Sequence, residues 1–390
     1  MSDIQRIDNQ YVAHTYGRFP LTIVSGKGSV VRDTEGREYT DLGSGIGVTA
    51  FGIADDAWVR AVTDQLGRVQ HMSNLYYTEP CARLAELLCE RTGMRRVFFG
   101  NSGAEANECA IKAARKWAAE TKGPEYNVIV TLKNSFHGRT LTTLAATGQD
   151  HYHELFQPLT PGFAYAEPND AADLERILSE QKAAGILLEC VQGEGGVKVM
   201  RPEYLRDVQA LARKYNVLLM IDEVQTGNGR TGKMYAYMHA GLEPDVVSTA
   251  KGLGGGLPLG ACLLGEKVQD VFAPGDHGST FGGNPIACAG AVSVVERLND
   301  DLLREVERKS SLVFQMAEGA KGVAEVSGLG LMIGIRPAKT PAAKVVRACM
   351  DRGVLCLTAK DKVRLLPALN IPMATLQKAA NIIKAVCAEE

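Results

Sequence analysis

Residues 217–223 have the sequence VLLMIDE, in which five apolar residues are followed at once by two carboxylates. So short and so apolar a run is typical of a strand buried on both faces, as the strands of a parallel sheet are. Similar runs occur at 96–99, 128–132, 186–188 and 246–248, each followed by polar or glycine-rich residues. Longer segments of helical period separate them. This alternation predicts an α/β fold, whose ligands bind at the carboxyl ends of the strands.

The C-terminal part of the chain has a different pattern. It contains a helical stretch from 287 to about 317, short strands near 330–335 and 354–357, and a closing helix from Met373. We therefore expect a large domain at residues 51–284 and a smaller α+β domain at residues 285–390, to which residues 1–50 contribute.

The composition limits the function classes. A formal net charge of −2 gives no basic surface for nucleic acid, and no apolar stretch is long enough to cross a membrane. Residues 1–20 contain no apolar signal segment and no arginine-rich, acid-poor leader, so we expect a cytoplasmic protein. The nine cysteines are an odd number without a CxxC pair, which favours reduced thiols in the core over metal or disulfide roles.

The first candidate site follows the run at 96–99. Ser102 and Glu105 have the spacing of a capping box, so the free N–H groups of Gly103 and Ala104 would face outward at the start of a helix. The helix dipole favours an anion such as a phosphate there. Ordinary helix capping without a ligand is the alternative.

The second candidate site follows the run at 128–132. Phe136 could stack on a flat ligand, and Arg139 could bind a carboxylate with two parallel hydrogen bonds. The alternatives are a core position for Phe136 and a surface ion pair for Arg139. We expect His137, between them, to be a structural hydrogen-bonding residue.

Asp222 ends the most apolar strand. A desolvated carboxylate needs a cationic partner, and the protonated ring nitrogen of a pyridine cofactor is one such partner. An internal salt bridge to an Arg or Lys is the alternative. Val224 points to the same side as Asp222 in an extended chain, so it would pack on the ring face opposite Phe136.

Two further segments carry reactive or polar groups. Lys251 ends the run at 246–248 before a glycine-rich loop, where partial burial would lower the pKa of its amine and make it nucleophilic towards an aldehyde. A surface lysine beside a flexible turn is the alternative. The hydroxyls of Ser279 and Thr280 precede Gly282 and Gly283 and could hold a phosphate, or they could form a simple turn entering a helix.

A nucleotide-binding protein is the rival from another class. Residues 227–233, GNGRTGK, match GxGxxG and part of a P-loop. However, Met234 stands where a P-loop needs Ser or Thr, and Asp222 and Glu223 lie between the strand and the loop, where they would repel a pyrophosphate. The sequence therefore favours the pyridine cofactor.

In this order, the segments resemble the class III aminotransferases among the fold-type I pyridoxal-5′-phosphate (PLP) enzymes, over nearly the whole chain. The resemblance implies a large domain with a mostly parallel seven-stranded sheet. It also implies the cofactor contacts: Ser102, Gly103 and Ala104 at the phosphate, Phe136 and Val224 on the ring faces, Asp222 at the ring nitrogen, Gln225 at the phenolic oxygen, and Lys251 as the Schiff-base lysine. Thr280 is similar to the threonine that reaches the phosphate of the neighbouring subunit, which implies a homodimer with shared active sites.

The resemblance also assigns the residues that bind substrate. Arg139 resembles the arginine for one substrate carboxylate, Arg364 the arginine for the α-carboxylate of glutamate, and Glu194 the glutamate that covers Arg364. Ser279 belongs to the same substrate pocket. A dicarboxylate needs two cations, whereas a substrate that reacts through a distal amine needs one of them masked. A structural ion pair between Glu194 and Arg364 is the alternative.

Gly45 bears on the choice of amino donor. It lies where, by resemblance, ornithine-specific members carry a tyrosine, and glycine leaves room there for an acyl group. This favours transfer of the δ-amino group of N2-acetyl-L-ornithine to 2-oxoglutarate. The segment 49–56 departs from the family pattern, so ornithine, succinylornithine, 4-aminobutyrate and a lysine-pathway semialdehyde stay open as substrates. A PLP-dependent racemase or aminomutase is the alternative outside the transferases.

Overall fold

Four β-sheets and a set of covering helices make up the fold in the computed structural model, which describes residues 2–389. The strands are β1 (Ile23–Lys27), β2 (Val30–Asp33), β3 (Glu38–Asp41), β4 (Arg96–Gly100), β5 (Val128–Leu132), β6 (Phe163–Ala166), β7 (Ala183–Leu188), β8 (Val191–Gln192), β9 (Lys198–Val199), β10 (Leu218–Asp222), β11 (Val246–Thr249), β12 (Gly260–Leu264), β13 (Val323–Leu329), β14 (Met332–Pro337), β15 (Val354–Leu355), β16 (Leu357–Ala359) and β17 (Lys362–Leu365).

The helices alternate with the strands through the middle of the chain. They are α1 (Asp3–Tyr11), α2 (Ser44–Gly47), α3 (Asp56–Leu66), α4 (Glu79–Thr92), α5 (Gly103–Thr121), α6 (Leu141–Ala146), α7 (Ala171–Glu180), α8 (Pro202–Lys214), α9 (Pro285–Arg297), α10 (Asp300–Ala317), α11 (Ala342–Asp351) and α12 (Met373–Ala388). Short 3-10 turns occur at Asp150–Tyr152, Ala236–His239 and Lys251–Leu253. Among residues 2–389, no helix is long and apolar enough to cross a membrane. The cytoplasmic location stays a prediction.

The central sheet has seven strands in the order β4-β12-β11-β10-β7-β5-β6, as expected. β12 runs antiparallel to both of its neighbours, and the other pairings are parallel. All residues of β7, β10 and β12 are buried, because helices cover the sheet on both faces. Sequence reasoning missed β6 and β12. β6 has only four residues, and β12 begins at Gly260 within a glycine-rich region that reads as a loop.

Helix α5 determines where the site lies. Ser102 caps its N-terminus with a side-chain oxygen that accepts a hydrogen bond from Glu105 N. The small buried side chains of Ala106, Ala110 and Ala114 then let the helix lie close to the sheet. As a result, the first turn of α5 opens at the carboxyl end of the sheet.

The helical stretch expected from 287 to about 317 consists of two helices, α9 and α10. Leu298 leaves the helical region with ψ 61°, and the Asn299 side chain accepts a hydrogen bond from Leu302 N to start α10. Asn299 followed by an acidic first turn is a recognisable helix start, which the apolar periodicity around it obscured.

The smaller sheets join the two ends of the chain. β1, β2 and β3 form an antiparallel meander, and β3 pairs in parallel with β15 from the C-terminal part. The strand expected at 354–357 is interrupted at Cys356, so that β15 and β16 enter different sheets. Helix α9 packs against α3 and α4. The domain boundaries proposed from the sequence stay predictions.

Candidate active site

A cavity of about 510 Å³ opens at the carboxyl ends of the central strands. Its wall contains the predicted cofactor residues Ser102, Gly103, Ala104, Phe136, Asp222, Val224, Gln225 and Lys251, together with Arg139. It also contains residues not assigned to the site from the sequence, among them Val48, Asn107, His137 and Glu189. Segments that lie far apart in the sequence therefore meet at one edge of the sheet.

The first turn of α5 forms one end of the cavity. Ser102 Oγ donates to Glu105 Oε2 at 2.9 Å and accepts from Glu105 N at 3.2 Å. Gly103 has Val224 so close that a Cβ atom added there would lie 2.6 Å from Val224 Cγ1. The glycine thus allows the start of the helix, with its free N–H groups, to approach the apolar wall of the cavity.

Asp222 is 3 % exposed, and three groups of the chain contact its carboxylate oxygens. Asp222 Oδ2 accepts from Asn107 Nδ2 at 2.8 Å and lies 2.8 Å from His137 Nδ1, while Oδ1 accepts from Val224 N at 2.9 Å. Its ion-pair contact within 4.0 Å in residues 2–389 is therefore His137 and not the Arg or Lys of the alternative interpretation. Because no Arg or Lys among the described residues pairs with this carboxylate, it can pair with a cation inside the cavity.

His137 and Asn107 orient this carboxylate. His137 is the structural hydrogen-bonding residue that we expected, although its partner was not foreseen. Asn107 lies one helical turn after Gly103, and its Oδ1 accepts from Ser248 Oγ at 2.5 Å. No local pattern distinguishes Asn107 from any other buried polar residue of a helix, so sequence reasoning missed it.

Lys251 follows β11 and its side chain lines the cavity. Its φ of 41° lies in the left-handed region, which a residue with a Cβ rarely adopts and which is often found at functional sites. Burial lowers the pKa of its amine, whereas the nearby carboxylates of Glu194 and Asp222 oppose that shift. A lowered pKa raises the fraction of neutral, nucleophilic amine.

Phe136 and Val224 both reach the cavity, as expected for residues on either face of a ring. The guanidinium carbon of Arg139 lies 5.7 Å from the centre of the Phe136 ring and 4.7 Å from that of Tyr152. Arg139 is exposed at the rim, so stacking on the two rings keeps its charge near the mouth of the cavity without neutralising it.

Arg364 and Glu194 lie behind Gln225. Arg364 Nη1 donates to Glu194 Oε1 at 2.6 Å and to Gln225 Oε1 at 3.0 Å, and Gln225 Nε2 donates to Glu194 Oε1 at 3.3 Å. Burial acts to raise the pKa of Glu194, but the charge and hydrogen bond of Arg364 outweigh it and lower that pKa. Arg364 Nε is buried without a partner among the described residues, so the guanidinium keeps a free donor.

Five predicted residues do not line the main cavity: Glu194 and Arg364, which lie behind Gln225, and Gly45, Ser279 and Thr280. Ser279 and Thr280 line a second cavity of about 710 Å³, and Asn101 Nδ2 donates to Ser279 Oγ at 3.0 Å. Gly45 is exposed in the left-handed turn α2, and Val48 lines the main cavity in its place. The substrate contacts of Gly45 and Ser279 and the cofactor contact of Thr280 stay predictions.

Glu189 is the most informative residue that sequence reasoning missed. It directly follows the buried strand β7, and Asp222 is the last residue of the buried strand β10, so the same pattern of a carboxylate after an apolar run could have identified it. It is 5 % exposed, and burial raises its pKa to about 7 even though His137 opposes the shift.

The loop 227–233 does not line the main cavity. Arg230 is buried, and its Nη1 donates to Leu331 O at 3.2 Å and to Pro367 O at 2.5 Å. The segment continues as turns and not as a helix, whereas both phosphate-binding motifs that it imitates end at a helix N-terminus. Through Arg230, the loop therefore binds the C-terminal segments that contain Leu331 and Pro367.

The cavity thus offers an anion site at a helix start, a buried carboxylate for a ring nitrogen, apolar groups for two ring faces and a half-buried lysine amine. These residues fit pyridoxal phosphate, and the fold and site together define a PLP-dependent enzyme of fold-type I. A sequence model described as aminotransferase class-III matches residues 11–387. The chain belongs to the class III aminotransferases, and it is a PLP-dependent aminotransferase.

Individual relatives agree with this assignment. An acetylornithine aminotransferase of Haemophilus ducreyi is 48 % identical over 99 % of this chain and 98 % of its own length. A crystallised ornithine aminotransferase of Toxoplasma gondii is 33 % identical with a TM-score of 0.94, covering 99 % of this chain and 94 % of its own. An N-acetylornithine aminotransferase structure from Stenotrophomonas maltophilia is 34 % identical with a TM-score of 0.84, covering 98 % of each chain.

Proposed function

We propose that this enzyme transfers the δ-amino group of N2-acetyl-L-ornithine to 2-oxoglutarate, giving N-acetyl-L-glutamate 5-semialdehyde and L-glutamate, as in arginine biosynthesis. The observation that carries the proposal is the pairing of Arg364 with Glu194 and Gln225 behind a cavity whose rim holds the stacked Arg139. One arginine is accessible and the other is covered. The names of the relatives, acetylornithine aminotransferases at 41 to 48 % identity, support the same substrate.

The two substrates differ in the number of carboxylates that they bring. N-acetylornithine has one, which Arg139 binds at the rim while Glu194 stays on Arg364. 2-Oxoglutarate has two, so Glu194 must leave Arg364 and expose its guanidinium. The unpartnered Nε of Arg364 is then available to the second carboxylate.

Bound PLP supplies an aldehyde for amine exchange and a ring that withdraws electrons from the carbon that loses its proton. Lys251 Nζ would hold the cofactor through its aldehyde group, and once free it would accept a proton from the substrate δ-carbon as a general base. Asp222, oriented by Asn107 and His137, would pair with the ring nitrogen and favour its protonated form. The N–H groups of Gly103 and Ala104 would hold the phosphate.

We also propose a homodimer in which Thr280 reaches the cofactor phosphate of the partner. Thr280 is exposed and is followed by Phe281, which is 60 % exposed. Leu75 and Tyr77 close by are 87 % and 105 % exposed, and Tyr77 lines the same second cavity as Thr280. Large apolar side chains grouped in this way are typical of a surface that another subunit covers.

A mixed dimer tests this arrangement. One chain carries Lys251→Ala and the other Thr280→Ala, and the two are coexpressed with different tags. If Thr280 acts across the interface, one of the two sites in each mixed dimer has both native residues and binds cofactor as tightly as the wild type does. If every intact-lysine site in the mixed dimer shows the weakened binding of the Thr280→Ala homodimer, Thr280 acts within its own chain.

The substrate is tested by comparing kcat/KM for N-acetylornithine, ornithine, succinylornithine and 4-aminobutyrate, with 2-oxoglutarate as acceptor. We expect N-acetylornithine to be preferred over ornithine and 4-aminobutyrate by about tenfold or more, since a masked Arg364 and an open rim fit an acylated donor with one carboxylate. A higher kcat/KM for ornithine or 4-aminobutyrate would overturn the assignment. Product formation without an oxo acid would indicate a racemase or aminomutase.

A further inference from the structure

Glu189 contacts two different loops at once. Glu189 Oε2 accepts a hydrogen bond from Phe136 N at 3.0 Å, and Glu189 Oε1 accepts one from Gly193 N at 3.3 Å. The side chain is buried directly after β7, in the wall of the cavity. One carboxylate therefore joins the loop that follows β5 to the turn that follows β8.

Each of these segments carries one of the groups that handle substrate carboxylates. The loop at 134–139, here called the rim loop, contains Phe136 and Arg139. The turn at 192–196, here called the gate turn, contains Glu194, which covers Arg364. The relative position of the two segments thus determines where Arg139 lies and whether Glu194 reaches Arg364.

Further contacts fasten the gate turn to the rim loop. Gln192 Nε2 donates to Lys133 O, one residue before the rim loop, at 2.9 Å. A Cβ atom added to Gly195 would lie 2.7 Å from Asn134 O, so the two backbones are in direct contact at this glycine. Lys360 Nζ donates to Asn134 Oδ1 at 2.5 Å and holds the other side of the rim loop. These contacts leave little freedom for the backbone of the gate turn.

The charges around Glu189 favour this role. Burial raises its pKa, the nearby His137 ring opposes the shift, and the charge of Asp222 adds to it. The backbone N–H groups of Phe136 and Gly193 stabilise the ionised carboxylate, which can accept both bonds at once. Glu189 itself lies one strand away from Asp222, because β7 pairs with β10.

We propose that Glu189 is a positioning residue that holds the rim loop and the gate turn in a fixed position relative to each other. Glu194 then uncovers Arg364 by rotating its side chain while its backbone stays in place. The inference rests on the proposed function, because it concerns how the same site accepts substrates with one or two carboxylates. Without the two hydrogen bonds of Glu189, the gate turn samples more backbone conformations, and the ion pair between Glu194 and Arg364 forms less often. Binding of the amino donor, which has one carboxylate and needs this ion pair to be formed, is then weakened relative to binding of the dicarboxylate 2-oxoglutarate.

The variant Glu189→Gln tests the proposal. Glutamine keeps the length of the side chain and one acceptor oxygen, but its amide nitrogen cannot accept the second backbone hydrogen bond. We expect the ratio of KM for the amino donor to KM for 2-oxoglutarate to rise about fivefold, the change expected when one hydrogen bond of ordinary strength is lost. Hydrogen exchange of the holoenzyme supplies an independent readout: peptides covering 133–140 and 190–197 should exchange faster than in the wild type.

Glu223→Gln is a matched control. Glu223 is equally buried, burial likewise raises its pKa to about 7, and its partners Thr226 and Tyr237 belong to neither loop. A general cost of replacing a buried glutamate would appear in both variants, whereas the shift in the KM ratio and the faster exchange should appear only in Glu189→Gln. Gly195→Ala, which pushes the gate turn away from Asn134 O, should shift the ratio in the same direction and covers the case that Glu189→Gln does not fold.

The outcomes separate the two proposals. The ratio is measured with the best ω-amino donor of the wild type, so a different donor would overturn the proposed substrate without affecting this test. If the wild type uses an ω-amino donor, and both exchange and the KM ratio of Glu189→Gln match those of Glu223→Gln, the positioning role is wrong. Faster exchange confined to one of the two segments would also contradict it, because the proposal requires that both segments depend on one carboxylate.

Discussion

Arg364 donates from Nη1 to Glu194 Oε1 at 2.6 Å, although the two residues are 170 positions apart in the sequence. Arg364 is almost fully buried, whereas the Glu194 side chain is 28 % exposed. The partner that can move is therefore the glutamate, and the arginine stays fixed behind Gln225. This asymmetry is what a site needs if it is to change between one and two available cations without rebuilding its core.

Removing the Glu194 carboxylate that covers Arg364 should shift binding at the site from N-acetylornithine towards 2-oxoglutarate. In Glu194→Gln the charge that masks Arg364 is lost, so KM for 2-oxoglutarate should fall and KM for N-acetylornithine should rise, each by about three- to tenfold, since a buried ion pair is replaced by a weaker hydrogen bond. Steady-state kinetics of both half-reactions measure the change. Equal changes of both constants in the same direction would contradict the role of Glu194 as a switch.

Asp222→Asn should reduce kcat by about a hundredfold or more, because one member of a buried charge pair at the ring nitrogen is lost. His137→Ala should have a smaller effect, since Asn107 and Val224 still hold the carboxylate. Measuring kcat of both variants at saturating cofactor shows whether Asp222→Asn loses more activity than His137→Ala. A larger loss in His137→Ala than in Asp222→Asn would show that the histidine, and not the carboxylate, carries the function.

Ser102→Ala removes the N-cap of α5 and should lower both stability and cofactor affinity. Loss of a side-chain cap costs about 1 kcal/mol in the free energy of unfolding. Asn299→Ala is the control, because Asn299 caps α10 with the same kind of bond and does not line the main cavity. We expect both variants to melt at a lower temperature as apoproteins and only Ser102→Ala to bind the cofactor more weakly. Equal cofactor affinity of the two would argue against an anion site at this helix.

Glu223 should make stability depend on pH. Burial raises its pKa from the ordinary value of 4.5 to about 7, although Thr226 and the N–H groups of Ala236 and Tyr237 oppose the shift. The folded state therefore holds this proton more tightly than the unfolded chain does. Its contribution to stability is fully present below pH 4.5 and is lost as the pH rises through about 7.

Glu223→Gln removes this dependence. The melting temperature of the variant relative to the wild type should increase between about pH 5 and about pH 8, whichever protein is the more stable at the start. Thermal unfolding of the two apoproteins in matched buffers measures the difference. A difference that does not change with pH would show that the pKa of Glu223 is not raised.

The sequence alone is enough to predict a site residue when its position depends only on the strand that it follows or ends. Asp222, Lys251 and Ser102 each lie where a strand ends, and the carboxyl ends of parallel strands meet at one edge, so their proximity follows from the pattern. The seven-stranded sheet, the cofactor and the aminotransferase class, which the family resemblance implied, are also confirmed.

Contacts between distant segments could not be predicted. Asn107 reaches Asp222 across 115 residues and Gln225 reaches Arg364 across 139, and neither pair has a local signal. The loop that follows β5 must fold back onto β7 before Glu189 can accept a hydrogen bond from Phe136, which requires the order of the strands in three dimensions. Side-chain networks of this kind depend on which strands are neighbours, and that information is absent from any single segment.

The most direct test of the account is a half-reaction. The purified holoenzyme is mixed with N-acetylornithine in the absence of any oxo acid, and the products are quantified. We predict one equivalent of N-acetylglutamate 5-semialdehyde per subunit, then one equivalent of glutamate after 2-oxoglutarate is added, and neither product from Lys251→Ala. Continuous product formation without an acceptor, no semialdehyde from the wild type, or full yield from Lys251→Ala would contradict the account.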